Sequence, residues 1–321
     1  MSATAQSELL VSPTGYTPLW RVRLRLGWKS LKSNWVIFAE NPVGLVGLGI
    51  IIFFGLLAAA HPILMATVWP ESVYDPVTGI DLEAGYHPGG PSARHLLGTD
   101  PLGRDVLSQL MYSTRFEFAL GILTATITVL IATTVGSVSA YFGGWLDTIL
   151  MRFADLVIMV PILPILIVIS AIVADFGMLQ LAVALGLLAG FGGTTIVIKS
   201  QALAVKVKPF VEAARVAGGS DRHIIMRHMV PNLMPISLLY MMFVVTDAIF
   251  IEAVLSFFGL TEIQMSWGLM INTTSVLGYL LRFDTWYLLF PASIAITMLC
   301  SAFYLVGRAL DEVVNPRLRQ R

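Results

Sequence analysis

Two carboxylates, Asp247 and Glu252, lie inside one long apolar run, where an ionisable side chain must be screened from lipid or put to use. Five residues apart means about 140° of rotation on a helix, so the two cannot share a narrow face and do not form an acid/base pair with one another. One is expected to line a conduit, the other to pack against a neighbouring helix. His223 and His228 are also five apart and each adjoins an arginine, which disfavours a metal. Gly193 precedes Lys199-Ser200 at the distance a phosphate loop requires, but Ile198 occupies the second glycine position. No nucleophile motif accompanies any of the five histidines, and Cys300 is the only cysteine, excluding a disulfide and a multi-cysteine metal site within one chain. The expectation is no catalytic residue, no metal and no cofactor in this chain.

A different stretch offers a surface rather than a reaction. In Val211-Glu212-Ala213-Ala214-Arg215-Val216-Ala217-Gly218-Gly219, Pro209 suits a first helical turn, Glu212 puts negative charge near that N-terminus, and Gly218-Gly219 supplies a stop. The spacing predicts a helix of roughly nine residues. Ala213 with Ala217, and Ala214 with Gly218, fall four apart, so small faces allow another backbone to come close. Ser220 is placed to cap a second helix through Ile224 and Ile225, ahead of Pro231 and Pro235. Arg215, Arg222 and Arg227 rim this two-helix knob.

The elements that carry these residues follow from composition. Hydrophobic residues make up 56% of the chain, charged residues 12%, and the mean hydropathy is +0.80, values of a polytopic membrane protein. Apolar runs long enough to cross a bilayer occur near 43–65, 116–142, 150–174, 178–198, 236–258 and 286–307, giving an all-α fold of six transmembrane helices. A tail of 1–42 precedes the first span, which reads as retained rather than as a cleaved leader. Segment 66–115 is a loop, 116–307 the core with its 199–235 loop, and 308–321 a C-terminal tail. Sixteen of the twenty lysines and arginines fall on the side of both tails and the 199–235 loop, which the positive-inside rule makes cytoplasmic. The stretch from Leu19 to Lys29 mixes Trp, Leu and basic residues, as an interfacial segment does.

The outer loop is broken by turn formers such as Asp75-Pro76, Pro88-Gly89-Gly90-Pro91 and Asp100-Pro101. It carries Glu71, Asp75, Asp81, Glu83, Asp100 and Asp105 against Arg94 and Arg104, an acidic face suited to a soluble partner. Within the spans, Gly44, Gly47, Gly49, Gly55, Gly136, Gly186, Gly190, Gly192 and Gly193 predict close helix packing, and Pro161 and Pro164 predict a bend in the third span.

Seven blocks in order carry a resemblance. They are Leu97 to Asp105 (LGTDPLGRD), Tyr141 to Asp147 (YFGGWLD), Met151 to Asp155, Glu212-Ala213-Ala214 with Gly218, Arg227 to Asn232, Glu252 to Leu260 with Ser266-Trp267-Gly268, and Asn315-Pro316-Arg317. Together they resemble the C-type permease of the dipeptide, oligopeptide and nickel ABC importers. The resemblance implies a type I importer permease that forms half of a translocation pathway. Its partners would be a second homologous permease, two ATPase subunits that bind ATP and Mg, and an extracytoplasmic solute-binding protein; nucleic acid is not among them. It implies ATPase coupling through Glu212, Ala213, Ala214, Arg215, Ala217, Gly218 and Gly219. It also implies outer contacts near Asp100, Gly103, Arg104 and Asp105, and a prokaryotic inner-membrane location with both termini cytoplasmic. The chain departs from the pattern between Gly259 and Trp267 and in having Lys199 before the coupling loop, which leaves oligosaccharides or nickel open beside di- and oligopeptides. A proton-coupled secondary transporter, in which Asp247 or Glu252 titrates, is the reading from another class.

Overall fold

The computed structural model describes residues 35–314 together with Arg21, Leu26, Lys29, Lys32 and Ser33. The interfacial reading of the Leu19 to Lys29 stretch and the Asn315-Pro316-Arg317 block therefore fall mostly or wholly outside the described residues. The described residues are nearly all helical, with no strand beyond one isolated bridge between Thr99 and Asp105.

Among the described residues, four helices are long and apolar enough to cross a membrane: α1 (Pro42–Thr67), α2 (Val106–Phe142), α8 (Asp221–Phe257) and α10 (Trp286–Val314, extended at its start by a turn at Phe283). Two bent pairs supply the other two of six spans, α3 (Gly144–Met159) with α4 (Ile162–Ile172), and α5 (Met178–Phe191) with α6 (Gly193–Lys206). Helix α7 (Pro209–Val216) lies between α6 and α8, and α9 (Trp267–Val276) sits between the last two spans.

Several boundaries differ from the sequence reading, each for a local reason. The second span begins at Val106 rather than 116, because the Asp105 carboxylate caps it, accepting from the Ser108 N–H at 2.6 Å. The outer loop is correspondingly shorter. The third span breaks at Val160–Pro161 by 85°; Pro161 is the residue just before α4 and Pro164 sits in α4's first turn, where a missing N–H costs nothing. The fourth span breaks by 42° at Gly192, whose non-helical backbone (φ −90°, ψ −132°) ends α5. The fifth does not start at 236: the helix capped by Ser220 runs into it through a π turn at Ile225–Met229, just ahead of Pro231. Helix α9 was not read from the sequence at all.

Helix α2 lies at the centre, against α1, α5, α6 and α8, while α10 packs on α1 and α8 and α9 wedges between α8 and α10. Small residues permit the closest crossings. A methyl on Gly136 would come within 2.9 Å of the Lys199 backbone N in α6, and one on Gly186 within 2.6 Å of Ile127. Among the described residues, a methyl on Gly49 or Gly55 would meet nothing within 4 Å, so their smallness serves no contact there. Being 37 residues long and unbroken, α2 extends roughly 55 Å at 1.5 Å per residue, linking the 68–105 loop to the end of the bundle that carries α7.

Candidate functional site

Helix α7 rests on one apolar side chain. Val211 is fully buried in a cluster with Ile198, Ala202, Ile224, Ile225 and Met229, which fixes the helix on the bundle and turns its other faces outward. Glu212, Ala213, Arg215, Ala217 and Gly218 are exposed, whereas Ala214 and Gly219 are half-buried. The paired small faces expected from spacing thus separate, Ala213 and Ala217 outward and Ala214 toward its own core. Gly218 has φ +81°, and its N–H donates to the Arg215 carbonyl at 3.0 Å while the Gly219 N–H donates to that of Ala214 at 3.0 Å. That is a Schellman ending, in which a left-handed residue closes the helix and satisfies its last carbonyls. Ser220 then caps the next helix through the His223 N–H at 3.4 Å.

Arg215, Arg222 and Arg227 are all exposed around this tip. His223 and His228, read as facing apart, have ring centroids 5.5 Å apart. The π turn is the reason, since its i to i+5 register stacks residues that an α-helix separates. No group of three or more metal-ligating residues occurs among the described residues. The near-miss phosphate loop is helical, with Ile198 buried and Lys199 paired to Asp147 of α3 at 2.5 Å.

Asp247 and Glu252 take opposite fates on α8. Asp247 is exposed on the chain's own surface with Phe250 beside it, and Glu252 is completely buried. The Glu252 Oε1 accepts from Ser256 Oγ at 2.6 Å, and Ser256 reaches Thr261 at 2.7 Å. Facing Glu252 is Glu117 of α2, also completely buried and not singled out by the sequence reading. Both Glu117 carboxyl oxygens and the second Glu252 oxygen lack a well-formed hydrogen bond. The two carboxyls thus meet where α2 packs against α8. Glu117 was missed because a span starting at 116 makes it a boundary residue; with Asp105 as cap, it lies in the fourth turn of α2.

The outer-loop residues are turned inward. Asp100 accepts from the backbone N–H groups of Leu102 and Arg104 at 2.9 Å each, from Arg104 Nε at 2.7 Å and from Gln109 at 2.9 Å. Gly103, at φ +87°, lies where a methyl would come within 3.0 Å of Ile80. Arg104 is half-buried against Asp100 at 2.6 Å. His95 is buried between two carboxylates, with Nδ1 at 2.8 Å from Asp105 and Nε2 at 2.9 Å from Asp81, and Arg94 reaches Asp81 at 2.9 Å. Burial pushes Asp81 up, but the His95 bond, the Glu83 N–H and Arg94 outweigh it and hold the carboxyl below its usual range. At Asp105 burial wins over the Ser108 and His95 bonds, and that carboxyl is raised. The acidic face expected from composition is therefore reduced, because Asp81, Asp100 and Asp105 are buried and paired inside the loop.

Residues 132–320 match the family described as binding-protein-dependent transport system inner membrane component. The dipeptide transport system permease protein DppC of Bacillus subtilis is 33% identical over 90% of this chain and 86% of its own length. The oligopeptide transport system permease protein OppC of Mycobacterium bovis is 32% identical over 88% of this chain and 93% of its own. That of Haemophilus influenzae is 29% identical over 91% and 89%. The chain belongs to the binding-protein-dependent transport system inner membrane component family, as an integral membrane permease of an ATP-driven importer rather than an enzyme.

Proposed function

We propose that this protein is the permease subunit through which a di- or oligopeptide importer opens one half of its pathway, driven by separate ATPase subunits. The observation that carries the reading is α7, a short helix anchored by one buried valine whose Ala213, Ala217 and Gly218 face outward beside Arg215. A tip of that shape fits a groove in a partner. In this reading Glu212, Ala213, Ala214, Arg215, Ala217, Gly218 and Gly219 couple to two ATPase subunits that bind ATP and Mg. A second homologous permease covers the exposed face of α8, where Asp247 meets the pathway. Both termini and the 199–235 loop are cytoplasmic, and the 68–105 loop faces a solute-binding protein. The match to dipeptide and oligopeptide permeases along about nine tenths of the chain supports peptides as cargo.

Motion follows from rigidity. When the ATPases close, the seated knobs are drawn together, and the helices joined to them tilt because their packed contacts are bistable rather than pliable. One observation favours a second reading, a proton-coupled carrier: the Glu117–Glu252 carboxyl pair buried in the span region. Reconstitution of the complete complex in vesicles separates the two. Peptide uptake that requires ATP and survives collapse of the proton gradient supports the importer; uptake that follows the gradient without ATP refutes it.

A further inference from the structure

Tyr141 ends the long helix α2 within the YFGG block, a segment given no role so far, and it touches both parts of the knob. It is 7% exposed, and its ring packs in the same cluster that holds Val211 and Ile224. Its hydroxyl donates to the Asp221 carboxylate at 2.6 Å, a contact across eighty positions of sequence, at the first residue of α8. The Arg215 guanidinium lies over its ring, 5.5 Å from the centroid. One side chain thus clasps α7 through a cation over its face and α8 through a charge-assisted hydrogen bond at its tip.

The same end of α2 is held by a second group. Lys206, in the last turn of α6, donates to the Ala140 carbonyl at 3.0 Å, satisfying one of the carbonyls that a helix end leaves open. From there α2 runs without a break to Asp105, whose carboxylate caps it and contacts His95 in the outer loop. The α3/α4 and α5/α6 spans are bent by 85° and 42°, so neither offers a straight path between the two ends of the bundle. An unbroken helix clamped at both ends moves as a rod.

We infer that Tyr141 is the positioning residue that fastens the coupling helix to α2, so that displacement of α7 is delivered along α2 to the 97–105 loop. This rests on the proposed importer role. Its chemistry predicts a graded series. Tyr141→Phe keeps the ring under Arg215 and removes the hydrogen bond; Asp221→Asn weakens the same bond from the other side; Tyr141→Leu removes both contacts.

The test uses the full complex with its solute-binding protein in vesicles, measuring ATP hydrolysed and peptide taken up in the same sample. Losing a hydrogen bond to a charged group shifts a two-state equilibrium roughly tenfold. Peptide carried per ATP should therefore fall roughly tenfold in Tyr141→Phe and further in Tyr141→Leu, with hydrolysis continuing. A purely structural residue would lower the yield of complex and leave the ratio unchanged in what assembles, and that result overturns the inference. Should Tyr141→Leu fail to assemble, the near-isosteric Tyr141→Phe and Asp221→Asn decide: an unchanged ratio in both overturns it, a lowered ratio upholds it. Absence of ATP-driven uptake by the unmodified complex is a separate outcome, which removes the importer reading and this one with it.

Discussion

Gly218 allows conformational strain and steric fit to be measured separately at one position. Its φ of +81° lies in the left-handed region, which costs most L-residues roughly 1–2 kcal/mol, a factor of about 5 to 30 in a local equilibrium. Among the described residues, no atom comes within 4 Å of a methyl placed there. Gly218→Ala should therefore lose only that conformational preference, and Gly218→Asn less, since asparagine tolerates the left-handed region. Gly218→Trp incurs the same backbone cost as alanine and adds an indole at an exposed position, so loss of uptake beyond alanine's in complexes that assemble reads the fit of this tip against a partner. The assay is ATP hydrolysis with peptide uptake by the reconstituted complex, alongside recovery of assembled subunits. We expect Asn to exceed Ala in uptake, and Trp to abolish uptake while the subunits still assemble. A tryptophan variant that transports as well as the alanine variant would refute the seating of this tip in a groove. An asparagine variant no better than alanine would refute the strain argument.

Removing Glu252 by Glu252→Ala leaves the buried Glu117 without its partner and deletes the Ser256–Glu252 hydrogen bond, and should cost about 1–3 kcal/mol; Glu252→Gln should cost less, and equal thermal midpoints for the two in detergent would count against the pairing. Gly268→Ala puts a methyl 2.5 Å from the Ala253 carbonyl oxygen, a backbone atom that cannot swing away, and overpacking of this kind costs about 1–3 kcal/mol; an unshifted midpoint would mean that α9 and α8 do not cross so closely. Asp81 has a folded pKa below its ordinary 3.8, so its contribution is complete above that value and is lost as pH falls through the lower one. Protease resistance of the 68–105 loop should accordingly hold down to pH 4 and fail below it, and Asp81→Asn should weaken it already at neutral pH. Asp105 works in the opposite sense, its raised pKa favouring the fold at low pH, so an acid limb that persists unchanged in Asp81→Asn would transfer the effect to another group.

Much of this molecule is local, and local patterns are legible in a sequence. Six apolar runs announce six crossings because each must satisfy its backbone within itself, and the helix ending at Gly218 is written in Pro209, Glu212 and the glycine pair, groups that act within a few residues of one another. The separation of Asp247 from Glu252 follows from helical geometry alone. Seven blocks in fixed order were enough to name the family. What tertiary structure alone decided depends on residues far apart in the chain. Glu252 became half of a buried pair only when α2 brought Glu117 to it, and the acids of the outer loop turned inward only when His95, Arg94 and Arg104 folded over them. His223 and His228 met because a π turn changed the register, and Ala214 was drawn inward because Val211 beside it is the anchor. Pairing across tens of residues is paid in loop-closure entropy and rewarded by burial, and neither quantity is visible until the helices are packed.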